Sequence, residues 1–338
     1  MIIPSTYTVA LLLTIISMIC WGSWANTTKL TGKWRFELFY YDYSFGVILA
    51  ALLAAFTFGS MGDELSVLDN FALAGKRQMA WGFAGGVVFN IANMLLVAAI
   101  AIAGLSVAFP IGIGIALIVG VVWSYRLNPQ GNPVYLFAGI AIVLAAIIVD
   151  ALAYGRHARD KAATSTAARK SPVKGIVISI VSGVLMGSFY PLVELGKQGE
   201  IGLGPYAIGL VFALGVFLST FIFNLYFMNL PVQGKPVYFG DYFKGTSKQH
   251  LLGVAGGAIW YLGAITNFVA ASAPSEINVG PAVSYALGQG ATMISALWGL
   301  LLWKEFAGAS ARVKTLLCAM LLLFLIGLIF VSIAPLMK

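Results

Sequence analysis

Uncharged polar and aromatic side chains recur inside the apolar runs of this 338-residue chain, where burial away from water makes each costly. Asn90 and Asn93 stand one helical turn apart in one run. Asn267 and Gln289 stand in two others, with Ser284, Tyr285 and Thr292 beside Gln289. Trp21 and Trp24 share a helix face, with Asn26 just beyond, and Trp260 is followed by Tyr261. Amides hydrogen-bond hydroxyl groups, and aromatic faces cover the C–H face of a sugar or the plane of a heterocycle. Trp21, Trp24, Asn26, Asn90, Asn93, Tyr190, Trp260, Asn267, Tyr285 and Gln289 are therefore the candidate surface for a small neutral polar solute. The competing role of each amide is hydrogen bonding between helices. The competing role of tryptophan is interfacial anchoring, which suits Trp34, Trp123 and Trp303 at the ends of runs.

Of 12 acidic residues, four lie in or beside apolar runs: Asp42, Asp150, Glu194 and Glu276. A carboxylate in a partly dry site can carry a proton through a transport cycle. Glu194, one turn after Tyr190, is the first candidate for proton coupling and Asp42 the second. A helix N-cap is the alternative role for Asp42. Asp150 has the arginines that follow it as its simplest partners, and Glu276 opens a short loop. Enzyme chemistry finds no footing. There is no GxSxG elbow, no phosphate loop and no metal-ligand spacing, so neither metal nor cofactor is expected. Cys20 and Cys318 lie in apolar runs and suggest no disulfide framework.

These groups need elements to position them. The chain is 60% hydrophobic and only 9% charged, against about 25% charged in soluble domains. Apolar runs near 20 residues long read as membrane-spanning helices. Ten are expected, over 7–25, 42–59, 79–103, 106–125, 134–153, 175–195, 205–228, 250–272, 278–303 and 313–334. The first lacks the basic flank of a cleaved signal peptide. Loops after the odd-numbered spans, counted with Lys314 at the start of the tenth span, hold 15 Lys and Arg, and the other loops and termini hold 5. The positive-inside rule then places both termini outside the cytoplasm. The net charge of +8 is accounted for by these loops, so no nucleic acid is expected as a partner.

The two halves resemble each other. Trp21-Gly22-Ser23-Trp24 parallels Met186-Gly187-Ser188-Phe189, Ala84-Gly85-Gly86 matches Ala255-Gly256-Gly257, and Pro110 matches Pro281. With five spans in each half, the second copy enters the membrane from the opposite side. The expected architecture is an all-α integral membrane protein of ten helices in two inverted five-helix repeats, residues 1–153 and 175–338, joined by a cytoplasmic linker, 154–174. Paired Gly-Pro interruptions at Pro110 and Pro281 point to a central binding region.

Ten spans in two halves resemble the drug/metabolite transporter superfamily. Within it, Cys20-Trp21-Gly22-Ser23-Trp24-Ala25-Asn26-Thr27, the segment 34–43 and Ala84-Gly85-Gly86-Val87-Val88-Phe89-Asn90 are similar to the bacterial glucose/ribose porter group, which includes relatives of plant ureide permeases. Segments 112–120 and 256–262 resemble the rhamnose–proton symporter. The resemblance implies a secondary carrier in a bacterial inner (plasma) membrane that imports sugars or ureide-like heterocycles with protons. The first expectation is a monosaccharide–proton symporter, working as a monomer or homodimer among membrane lipids. The alternative is a ureide, nucleobase or nucleoside permease. A multidrug exporter, or a membrane-embedded enzyme or sensor, fits the polar inventory less well.

Overall fold

The computed structural model describes residues 1–162, 172–231, 234–274, 277 and 279–337. The bilayer interior offers no water to backbone N–H and C=O groups, so apolar segments close their hydrogen bonds internally as helices. In chain order the helices are α1 Tyr7–Ser23, α2 Asn26–Leu30, α3 Phe36–Phe56, α4 Val67–Leu73, α5 Lys76–Ala103, α6 Leu105–Leu127 and α7 Pro133–Ala162. They continue as α8 Pro172–Lys197, α9 Pro205–Asn229, α10 Phe239–Tyr242, α11 Ser247–Ala270, α12 Pro281–Gly288, α13 Ala291–Leu301 and α14 Ala311–Ile333. Among the described residues, nine helices are long and apolar enough to cross a membrane. The chain is thus a multi-pass membrane protein.

Local sequence sets the boundaries. The Thr6 side chain accepts from Val9 N–H and caps α1. Thr246 and Gln249 close a reciprocal capping box at α11. Gly104, at φ +89°, ends α5 and lets α6 begin at the next residue. Four expectations need correction. Helix α3 begins at Phe36, so Asp42 lies inside it and is not its N-cap. Helix α7 runs on to Ala162, so the expected linker begins as helix, and its middle, 163–171, lies outside the described residues. The segment over 278–303 is broken: α12 ends at Gly288, and a turn at Gln289-Gly290 precedes α13. Arg156 pairs with Asp160 at 3.6 Å rather than meeting Asp150. Glu276 lies outside the described residues.

The helices pack through glycines in reciprocal fashion. Gly86 of α5 sits against the Phe212 carbonyl of α9, while Gly215 of α9 sits against the Phe83 carbonyl of α5. Gly257 of α11 meets the Tyr43 carbonyl of α3, and Gly46 of α3 meets the Val254 carbonyl of α11. Gly139 of α7 and Gly327 of α14 face each other's carbonyls. Without a Cβ, the backbones approach closely enough for dispersion contacts to hold helices together in lipid. The Met1 amino group donates to Glu64 O, Tyr206 donates to the Ile2 carbonyl, and Asn132 N–H donates to Ala334 O. Tyr7 donates to the Ser332 carbonyl, so both ends of the chain lie on one face. On the other face Arg35 reaches Lys235 O, Lys29 pairs with Glu305, and Ser310 donates to Asp160.

Candidate functional site

A cavity of about 490 Å³ lies where α1, α5, α8, α11 and the α12–α13 break converge. One wall is aromatic. Trp260 stacks on Phe89 with ring centroids 4.1 Å apart and planes at 28°, and on Trp21 at 6.0 Å and 18°. Trp21 Nε1 donates to the Trp260 carbonyl at 3.2 Å, which fixes the indole's angle. Trp24, Met186 and Phe189 complete the ring-lined surface.

The other wall is polar and has hydrogen-bonding capacity to spare. Asn93 Nδ2 donates to Tyr40 Oη at 3.0 Å. Gln289 is 9% exposed, and its side-chain amide has no hydrogen-bond partner among the described residues. Thr292 and Ser295 follow on α13 at helical spacing and also line the cavity. Placing Gln289 at a helix break exposes backbone and side chain where continuous helix would bury them, a tolerated irregularity when it lines a cavity. One part of the lining carries charge: Lys29 pairs with Glu305, and Tyr154 donates to the same carboxylate at 3.1 Å.

The ten candidate contact residues divide. Trp21, Trp24, Asn93, Trp260 and Gln289 line the cavity. Asn90 is fully buried, accepts from Tyr40 at 2.9 Å, and donates to Val216 O, Ser219 and Thr220 of α9. Asn267 clamps Ser17 of α1 and Ser284 of α12. Tyr285 donates toward carbonyls of Ala116 and Met186, at 3.3 and 3.4 Å. Asn26 accepts from Trp303 Nε1 at 2.6 Å, and Tyr190 is buried against Tyr285. These five hold helices together.

Neither of the two favoured proton carriers borders the cavity. Glu194 pairs with Lys197 at 2.7 Å near the face that carries the termini. Asp42 accepts from Tyr242 at 2.5 Å and bonds His250 Nδ1 at 2.8 Å, fastening α10 and α11 to α3. Burial and the bond to Asp42 push the Tyr242 phenol above its ordinary range. Nearby, the hydrogen bonds to Glu37 hold Arg35 above its ordinary value.

Sequence reading missed Phe89, Phe189, Met186, Ser295, Lys29 and Glu305 as cavity residues. The internal similarity carried a signal for three of them. Met186 and Phe189 correspond to Trp21 and Trp24, and Phe89 corresponds to Trp260 at the same 171-residue offset that relates Gly86 to Gly257.

The profile of the family "Ureide permease" matches residues 39–174 and 159–334. Ureide permease 1 of Arabidopsis thaliana is 24% identical over 382 residues, covering 93% of each chain. Ureide permease 5 of the same plant is 25% identical, covering 96% of this chain and 94% of its own. Probable ureide permease A3 of Vigna unguiculata is 34% identical over 135 residues, 38% of this chain. A solved structure titled only "Crystal structure of protein" shares the fold, with a TM-score of 0.61 at 16% identity, over 95% of this chain and 96% of that one.

Proposed function

The chain belongs to the ureide permease family and is a membrane transporter of small solutes rather than an enzyme; on that footing we propose that it imports a ureide or a related nucleobase-like heterocycle by proton symport with alternating access. The observation that carries this reading is the cavity itself. A flat ring fits between the Trp21–Trp260–Phe89 stack and the amides of Asn93 and Gln289. Ureides present N–H donors beside C=O acceptors, and a side-chain amide offers the complementary pair. The volume lies within the range of small-molecule sites, about 300–1,000 Å³. A monosaccharide is the second reading, favoured by the hydroxyls of Thr292 and Ser295 along the same wall. Family membership reverses the order that the residues alone suggested.

In this reading α12 and α13 together form a tenth crossing, and residues 1–153 and 175–338 are inverted repeats. The reciprocal glycine contacts of α5 with α9 and of α11 with α3 support that symmetry. The face bearing Lys29, Arg35 and Lys161 is cytoplasmic, both termini are extracytoplasmic, and the membrane is the plasma (inner) membrane. Lys29 and Glu305 line the cavity, so in this orientation its charged end lies toward the cytoplasm.

Counterflow in proteoliposomes tests the solute class. Vesicles preloaded with allantoin, a cyclic ureide, are expected to exchange it for labelled allantoin, with uracil competing and glucose not. Exchange of labelled glucose with no inhibition by allantoin would reverse the assignment.

A further inference from the structure

We propose that Asp150 of α7 is the carboxylate that takes up and releases the coupled proton, an inference that rests on the proton-symport reading. Its surroundings set it apart from the other buried acids. Glu194 has Lys197, and Asp42 has Tyr242 and His250. Asp150 is 7% exposed, and its buried Oδ1 has no hydrogen-bond partner. It borders a small cavity of about 50 Å³ with Phe109, Pro110, Tyr154, Thr292, Ser295 and Ala296. That is room for a water-sized guest.

No described group compensates the charge. From α6 the neighbours are Phe109 and Pro110, and from α13 they are the hydroxyls of Thr292 and Ser295. On α7 itself, Tyr154 is committed to Glu305 at 3.1 Å, His157 bonds Glu305 O at 3.0 Å, and Arg156 pairs with Asp160. Lys29 and Lys161 also converge on Glu305. On α14, Arg312 and Lys314 are exposed near the helix start, and Arg126 stands at the far end of α6. A carboxylate withdrawn from water without a countercharge relieves that cost by binding a proton. A desolvated hard cation asks for about six oxygens. The carboxylate and the two α13 hydroxyls supply too few, so the site suits a proton better than a metal ion.

The placement also couples proton to solute. Phe109, Tyr154, Thr292 and Ser295 line both the small cavity and the large one. Once neutral, the carboxyl can donate to a hydroxyl of α13 and draw α7 toward the helix that starts just after Gln289. Once ionised, it needs water, and the two helices part. The step is a simple protonation: the carboxylate takes a proton from water on one side and returns it to water on the other.

Two measurements on the full-length protein test this. In proteoliposomes with an inside-alkaline gradient of about one pH unit, the wild type is expected to accumulate labelled allantoin up to about tenfold, for one proton per solute. Asp150→Asn should lose that accumulation while keeping counterflow exchange within about twofold, and Asp150→Glu should restore it. Accumulation by Asp150→Asn equal to the wild type would overturn the proposal. So would wild-type uptake that follows a sodium gradient and ignores the pH gradient. Infrared difference spectra across pH need no solute. A protonated-carboxyl band present in the wild type and missing from Asp150→Asn supports the assignment, and an identical band in both overturns it. A wild type that moves no allantoin, yet shows the band lost in Asp150→Asn, faults the solute reading and upholds the proton site.

Discussion

Trp260→Ala is expected to lower solute uptake about a hundredfold or more, while Trp260→Phe costs no more than about tenfold. Trp260 is the middle ring of the aromatic wall, in contact with Trp21, Phe89 and Phe212, whose ring it meets at 5.9 Å and 17°. Without the middle ring, Trp21 and Phe89 lose the backing that holds them in place for a flat ligand, whose stacking on an aromatic ring is worth about 1–3 kcal/mol. Each aromatic pair lost adds roughly 0.5–1.5 kcal/mol. The second loss falls on the site's shape, because Trp21 loses the ring it stacks on and keeps only its bond to the Trp260 backbone carbonyl. Phenylalanine keeps most of the stacking surface, hence the smaller effect. Initial uptake rates of the three proteins at matched membrane levels measure the difference. Equal rates for the alanine and phenylalanine variants would remove the aromatic wall from the account.

Gly257→Ala is expected to destabilise the fold by about 1–3 kcal/mol or more, lowering the melting temperature by about 5 °C. A Cβ at Gly257 would run into the Tyr43 carbonyl and the Val47 backbone. Backbone cannot swing aside as a side chain can, so α3 and α11 must separate. That separation also loosens the Asp42–His250 bond between the same helices. Gly86→Ala should behave alike, since its Cβ would meet the Phe212 carbonyl and Val216 N. Gly240→Ala is the control, because nothing lies within 4 Å of its added methyl. Thermal unfolding in detergent compares the three. A neutral Gly257→Ala would mean that the reciprocal glycine contacts are not what sets helix spacing.

Much of this was legible in the residues. Apolar runs located the spans, because a bilayer permits little else. Trp21, Trp24, Asn93, Trp260 and Gln289, singled out by residue type, line the cavity. Asn90 shows why type and period were not enough. It lies one turn from Asn93, yet the rotation left over from a full turn carries it to α9, where three groups accept its Nδ2 hydrogens. Periodicity gives a face but not the neighbour that covers it. The break at Gln289-Gly290 was hidden for another reason: both halves of the segment are apolar, so composition reads them as one run. Glu305 was passed over as a loop acid because its partners Lys29 and Tyr154 are distant in sequence. Asp42 found its partner His250 by the same kind of long-range contact. Phe89 and Phe189 needed only the internal similarity to be carried from glycines to rings.

The central claim is that the cavity between the stacked rings and the α12–α13 break holds the solute, and Gln289→Met tests it most directly. The Gln289 amide bonds nothing among the described residues, so exchanging it for a thioether of similar length should leave the melting temperature unchanged. The account predicts that KM for allantoin counterflow rises about tenfold or more, the cost of losing a buried polar contact to the solute. An unchanged KM with full activity would contradict it.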